Sequence, residues 1–161
     1  MQPQDVFNRT FETTTAALDR WLDTIATDAL IDRERTSEFW RVRLRPHQAN
    51  ACPVELMLSR GQTFDLDIGS ESAVGHPVVN FSLFLPLLQA IAEGHVTHRA
   101  WSAQATGSVL THEMIVRLPD GQDWTMRRLI MAGTAATELS AVARERSYVP
   151  YRRSEVAPPK A

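Results

Sequence analysis

The chain has 161 residues, 43% of them hydrophobic, with a formal net charge of −2 and one cysteine. That is enough for one hydrophobic core and too little charge for a global field that would draw in nucleic acid or an anionic membrane. Cys52 cannot close an internal disulfide, and Met1 is followed by Gln, Pro, Gln and Asp rather than a basic flank and an apolar stretch, so no secretory leader is read and a cytoplasmic location is expected.

Taken in order, Phe7, Phe11, Leu18, Leu22, Ile25 and Ala29 recur at spacings of four, seven, four, three and four, one stripe of an amphipathic helix. The stripe predicts a helix from Asp5 to Arg33, about 40 Å long at 1.5 Å per residue, either continuous or broken near Thr13, Thr14 and Thr15, whose β-branches lower helix propensity. A continuous helix of that length overhangs a small sheet and offers a dimer surface. Asp32-Arg33-Glu34-Arg35 reads as a charged connector.

Residues 38–69 alternate strictly. Trp40, Val42 and Leu44 interleave with Arg41, Arg43 and Arg45; Val54, Leu56 and Leu58 with Glu55 and Met57; Phe64, Leu66 and Ile68 with Asp65 and Asp67. A period of two puts successive side chains on opposite faces, so three antiparallel strands with one dry and one wet face are predicted. Residues 69–77 read as a loop. Leu83, Phe84, Leu87, Leu88 and Ile91 predict a short apolar helix closed by Gly94 at the left-handed position past its end, with Pro86 confined to its first turn. This run, Phe81 to Ala92, is interrupted by Ser82, Pro86 and Gln89, short of the ~20 apolar residues that cross a bilayer. Three more strands follow, at about 95–105, 109–118 and 124–129, the last two joined by the Asp120-Gly121 hairpin turn. Leu139, Val142 and Ala143 predict a final helix from Thr134 to Arg146.

The expected fold is therefore α+β, a long N-terminal helix packed on a six-stranded antiparallel sheet in the order α-βββ-α-βββ-α. Residues 1–147 form one domain in this reading, 148–161 a C-terminal tail, and 38–94 and 95–146 two βββα units that an internal duplication would produce.

Residues that carry chemistry are scattered. Asp65 and Asp67 share a strand face, as acid–base pairs do, but the same face carries Arg41, Arg43 and Arg45, and a cross-strand ionic lattice is the expectation. His95, His98 and His112 are a conceivable zinc set, yet residues three apart on a strand face opposite ways, and no metal and no cofactor are expected. His112 stands alone as a polar residue in phase with Leu110, Met114 and Val116 on a core-facing strand position. No nucleophile, phosphate-loop or metalloprotease motif is present in the sequence. Residues 127–161 hold seven basic and three acidic residues, and within them Tyr148, Tyr151, Arg152 and Arg153 combine types enriched at protein interfaces; stacking on nucleic acid is the weaker use of the same set. The functional expectation is a non-enzymatic interaction module that self-associates and contacts another protein. The alternative is a small-molecule-binding protein or enzyme with a pocket between the sheet and its helices. The residues expected to bind are His112, Arg41, Arg43, Asp65, Asp67, Tyr148, Tyr151, Arg152 and Arg153.

Overall fold

A computed structural model describes residues 1–130 and 141–153. Helix α1 spans Gln4–Thr24, followed by strands β1 (Ala29–Arg35), β2 (Phe39–Pro46), β3 (Val54–Ser59), β4 (Thr63–Ile68) and β5 (Glu71–Pro77). A 3-10 turn at Phe81–Leu83 leads into α2 (Phe84–Ala92), and β6 (Val96–Ala103), β7 (Val109–Arg117), β8 (Asp123–Leu129) and β9 (Ala141–Ser147) complete the described elements. The fold is α+β, as expected, but the strands form two antiparallel sheets, a five-stranded one in the order β1-β2-β3-β4-β5 and a four-stranded one in the order β8-β7-β6-β9. The single six-stranded sheet is thus corrected in three places.

The first helix stops at Thr24 because Ala29–Arg35 pairs along its whole length with β2. The run read as a connector is a strand whose alternation is written in charge rather than in apolarity. Asp32 and Glu34 stand opposite Arg43 and Arg41 on the wet face. Arg33 and Arg35, on the other face, reach back to Asp19, Asp23 and Glu12 of α1. The second correction is β5, read as a loop. It pairs with β4 through a bulge between Phe64 and Leu66, where Gly75 adopts a φ of 70° and its N–H donates to Asp65 at 2.6 Å. The third is the final helix: Ala141–Ser147 lies antiparallel to β6 in continuous register from Thr97↔Ser147 to Ala103↔Ala141. The backbone pairing with β6 outweighs the weak helical spacing of Val142 and Ala143; the rest of that predicted helix, residues 134–140, lies outside the described residues.

α1 lays Phe7, Phe11, Leu18 and Leu22 on the dry face of the five-stranded sheet, against Trp40, Val42, Leu44, Leu56, Leu58 and Leu66, all of which are buried. The Trp40 indole N–H donates to Asp19 at 3.1 Å, fixing the helix over the sheet. α2 buries Phe84, Leu87, Leu88, Ala90, Ile91 and Ala92 and leaves Leu85, Pro86 and Gln89 half-buried, and it touches both α1 and β7. Asn80 caps its 3-10 lead-in by accepting from the Ser82 N–H at 3.0 Å, and Gly94 takes a φ of 81° beyond its end.

Residues 148–151 of the expected tail join this core, and residues 154–161 lie outside the described residues. Tyr148 N–H continues the ladder onto the Val96 carbonyl at 3.0 Å, Val149 N–H reaches Asn50 at 3.1 Å and Tyr151 N–H reaches the Ala92 carbonyl at 2.8 Å. Tyr151 is 3% exposed.

Candidate functional site

On the four-stranded sheet, register decides which side chains meet. His98 pairs with Met114, Ala100 with His112, and His112 with Arg128, and directly paired residues share a face, as do residues two apart. Val96, Met114, Val116 and Met126 occupy the buried part of that face. His98, His112 and Arg128 continue it toward the rim, where the first residue of β5 enters from the other sheet.

That residue is Glu71, whose side chain is only 2% exposed. Arg128 grips it with two hydrogen bonds, Nε to Oε2 at 2.7 Å and Nη2 to Oε1 at 3.0 Å, the planar two-point pairing that suits guanidinium and carboxylate. His98 Nε2 lies 4.0 Å from Glu71 Oε1 and 3.0 Å from Nδ1 of His112. The two rings lie nearly parallel, with centroids 5.0 Å apart and planes 18° apart, and the short N···N contact lets one nitrogen donate to the other, the donor being set by the tautomer. Gly69 permits the approach of the two sheets: its φ is 59°, and a Cβ there would stand 2.7 Å from the Tyr148 hydroxyl and 3.3 Å from the Met114 methyl.

Electrostatics follow from this geometry. The Arg128 hydrogen bonds hold the Glu71 carboxyl below its usual range against the opposing effect of burial. Burial lowers the His98 imidazole, and His112 lowers it further, while Glu71 works in the opposite direction. The junction therefore joins a carboxylate held in its ionised form, a His98 imidazole biased toward its neutral form and a guanidinium with 51% of its side chain exposed.

Of the residues expected to bind, only His112 belongs to this cluster; His98, weighed with it as part of a zinc set, is its neighbour there. His95 and His98 do not converge, His95 facing Glu93 at 3.7 Å on an exposed edge. His98 and His112, on adjacent strands, do. Arg41 and Arg43 do not pair with Asp65 and Asp67, because β3 lies between β2 and β4; Glu55 of β3 takes both, at 3.7 and 2.6 Å, and Arg41 also binds Glu34 at 2.5 Å. Tyr148 lies beneath the Arg146 guanidinium, 5.0 Å from ring centroid to Cζ. Tyr151 is in the core, Arg152 pairs with Asp28 at 3.3 Å, and Arg153 is exposed. Cys52 is buried.

Sequence reasoning misses Glu71 and Arg128. Arg128 is in phase with Met126, the buried apolar residue two before it, as His98 is with Val96, and that phase is the available signal. Glu71 had none, since its strand was read as a loop. No protein-family model, curated protein or solved structure matches the chain.

Proposed function

We propose that this protein is a non-enzymatic binding module whose ligand site is the junction where β5 meets β6, β7 and β8. The observation that supports this reading is the nearly complete burial of the Glu71 carboxylate beside two touching imidazoles. Replacing a buried ion pair by apolar side chains is often neutral or stabilising, so stability alone is a poor reason for placing four polar groups on a core-facing sheet surface. Perturbed titratable groups gathered in one place are the usual mark of a site. The reading is binding rather than catalysis because, among the described residues, the imidazoles hydrogen-bond each other and no hydroxyl or thiol, whereas nucleophilic catalysis needs that partner beside the base.

Self-association, expected from an overhanging helix, loses that support, because α1 has 21 residues rather than nearly thirty. The test is a thermal-shift screen of metabolites and divalent cations against wild type and His112→Ala. A ligand at 100 times its Kd adds about 2.7 kcal/mol of stability. A shift that disappears in His112→Ala supports the junction; if every shift survives that substitution, binding lies elsewhere and the reading is wrong.

A further inference from the structure

We propose that Glu71, His98 and His112 bind a divalent transition-metal ion of the zinc, cobalt and nickel class. This inference rests on reading the junction as a ligand site and names what it takes.

The three residues come from three strands of two sheets, and one ligand atom from each lies within 4.8 Å of the other two. Two imidazoles and a carboxylate are a borderline donor set, suited to zinc and its neighbours rather than to calcium or magnesium, which prefer all-oxygen sites. Spacing supports the assignment. Nitrogens bound at about 2.1 Å to one ion are about 3.0 Å apart at a right angle and about 3.4 Å apart at a tetrahedral angle, and the His98 and His112 nitrogens stand 3.0 Å apart. In the metal-free protein one of these nitrogens donates its N–H to the other. On binding, the donor ring gives up that proton to water and takes one back on its far nitrogen, so both rings stay neutral; the rings turn until their lone pairs face one ion, and each near nitrogen becomes a ligand.

Charge supports it as well. A carboxylate 2% exposed is costly to leave unpaired, and Arg128, the arginine that pairs with it among the described residues, has a side chain that is 51% exposed. Arg128 can swing into water and leave Glu71 to a metal, so it acts as a stand-in that competes with the ion. Arg146, opposite His98 in the register, opposes binding by like charge. Three protein ligands leave at least one coordination position open to water or to an anion.

Untagged wild-type protein, stripped with a chelator, is titrated calorimetrically with zinc, cobalt and nickel chlorides. One ion per chain is expected. His98→Ala and His112→Ala should each weaken binding by more than about 100-fold, above the loss typical of residues that only support a ligand, and Arg128→Gln should tighten it by freeing Glu71. Because an alanine variant can fail to fold, wild type alone is also followed by histidine ring 15N spectra. Zinc should move two of the five histidines and abolish their shared N–H. No binding, binding that survives both alanine substitutions in folded protein, or ring signals that do not move each overturn the proposal. If a metabolite shift in the chelator-treated protein still depends on His112, the junction remains a ligand site and only the metal is wrong. If neither metal nor metabolite responds to His112→Ala, both readings fall.

Discussion

The Tyr151 hydroxyl donates to the backbone carbonyl of Cys52 at 2.6 Å, across 99 residues of sequence. Both residues are buried, 3% and 0% exposed, so a segment whose composition suggested an interaction tail closes the core instead. Tyr151→Phe keeps the ring and leaves the Cys52 carbonyl without this partner, which costs about 1–3 kcal/mol for a buried group. Tyr151→Ala adds a cavity and should cost about 3–5 kcal/mol. Urea unfolding at neutral pH measures both, and unchanged midpoints would show that the segment is dispensable for folding.

The same pair sets an alkaline limit. Burial pushes the Cys52 thiol up to about 12, with a hydrogen bond from the Gly69 backbone opposing it, and burial also raises the Tyr151 phenol. The folded chain holds both groups neutral, whereas the unfolded chain releases their protons near about 8.5 and 10. Stability is therefore complete below about pH 8.5 and is lost as pH rises toward about 12, at up to about 1.4 kcal/mol per pH unit for each group. Melting temperatures between pH 7 and 11 should fall more gently for Cys52→Ala than for wild type. At pH 8 the native thiol should resist disulfide reagents until the protein unfolds.

Two glycines separate backbone strain from packing. Gly94 and Gly121 both have a positive φ, 81° and 84°, but a Cβ on Gly94 would lie 2.6 Å from the Pro150 nitrogen and 2.7 Å from the Val149 carbonyl carbon, while one on Gly121 would meet nothing. Alanine at either position should lose about 1–2 kcal/mol to left-handed strain. Only Gly94→Ala must also displace the backbone that carries Tyr151. Its loss should be clearly the larger in chemical denaturation; equal losses would mean that residues 149–151 are not held against the end of α2.

Alternation made β2, β3 and β4 legible, because each carries large apolar groups on one face and charge on the other. β1 was not legible, since its inner face ends in Arg33 and Arg35, which serve the acids of α1 rather than the core. β9 presents Val142, Arg144 and Arg146 on one face and Ala143, Glu145 and Ser147 on the other, a pattern that does not tell helix from strand until β6 offers its edge. The site suffered from both defects. His112 was visible because Met114 and Val116 flank it in phase. His98 was visible as a histidine on the neighbouring strand, but Glu71 and Arg128 join the site only through the register that brings β5, β6 and β8 together.

The wet face of the five-stranded sheet yields the last prediction. The row Asp32, Arg43, Glu55 and Asp67 crosses β1 to β4 in register, and Arg43 Nε donates to Glu55 at 2.6 Å. The Glu55 hydrogen bond is the main cause raising the Arg43 guanidinium above its usual value, with Asp32 and Asp67 adding smaller charge effects. Asp67 is two strands from Arg43, about 9–10 Å, whereas Asp65, opposite Met57 in the neighbouring row, is also two residues further along β4, about 12 Å away at ordinary strand dimensions. Exposed charges that far apart are largely screened in physiological salt. Double-mutant cycles should rank the coupling of Arg43 to Glu55 first, to Asp67 second and to Asp65 at zero within error, with the first shrinking as salt is added. A measurable Arg43–Asp65 coupling would require β2 and β4 to approach each other on this face, contrary to the strand order.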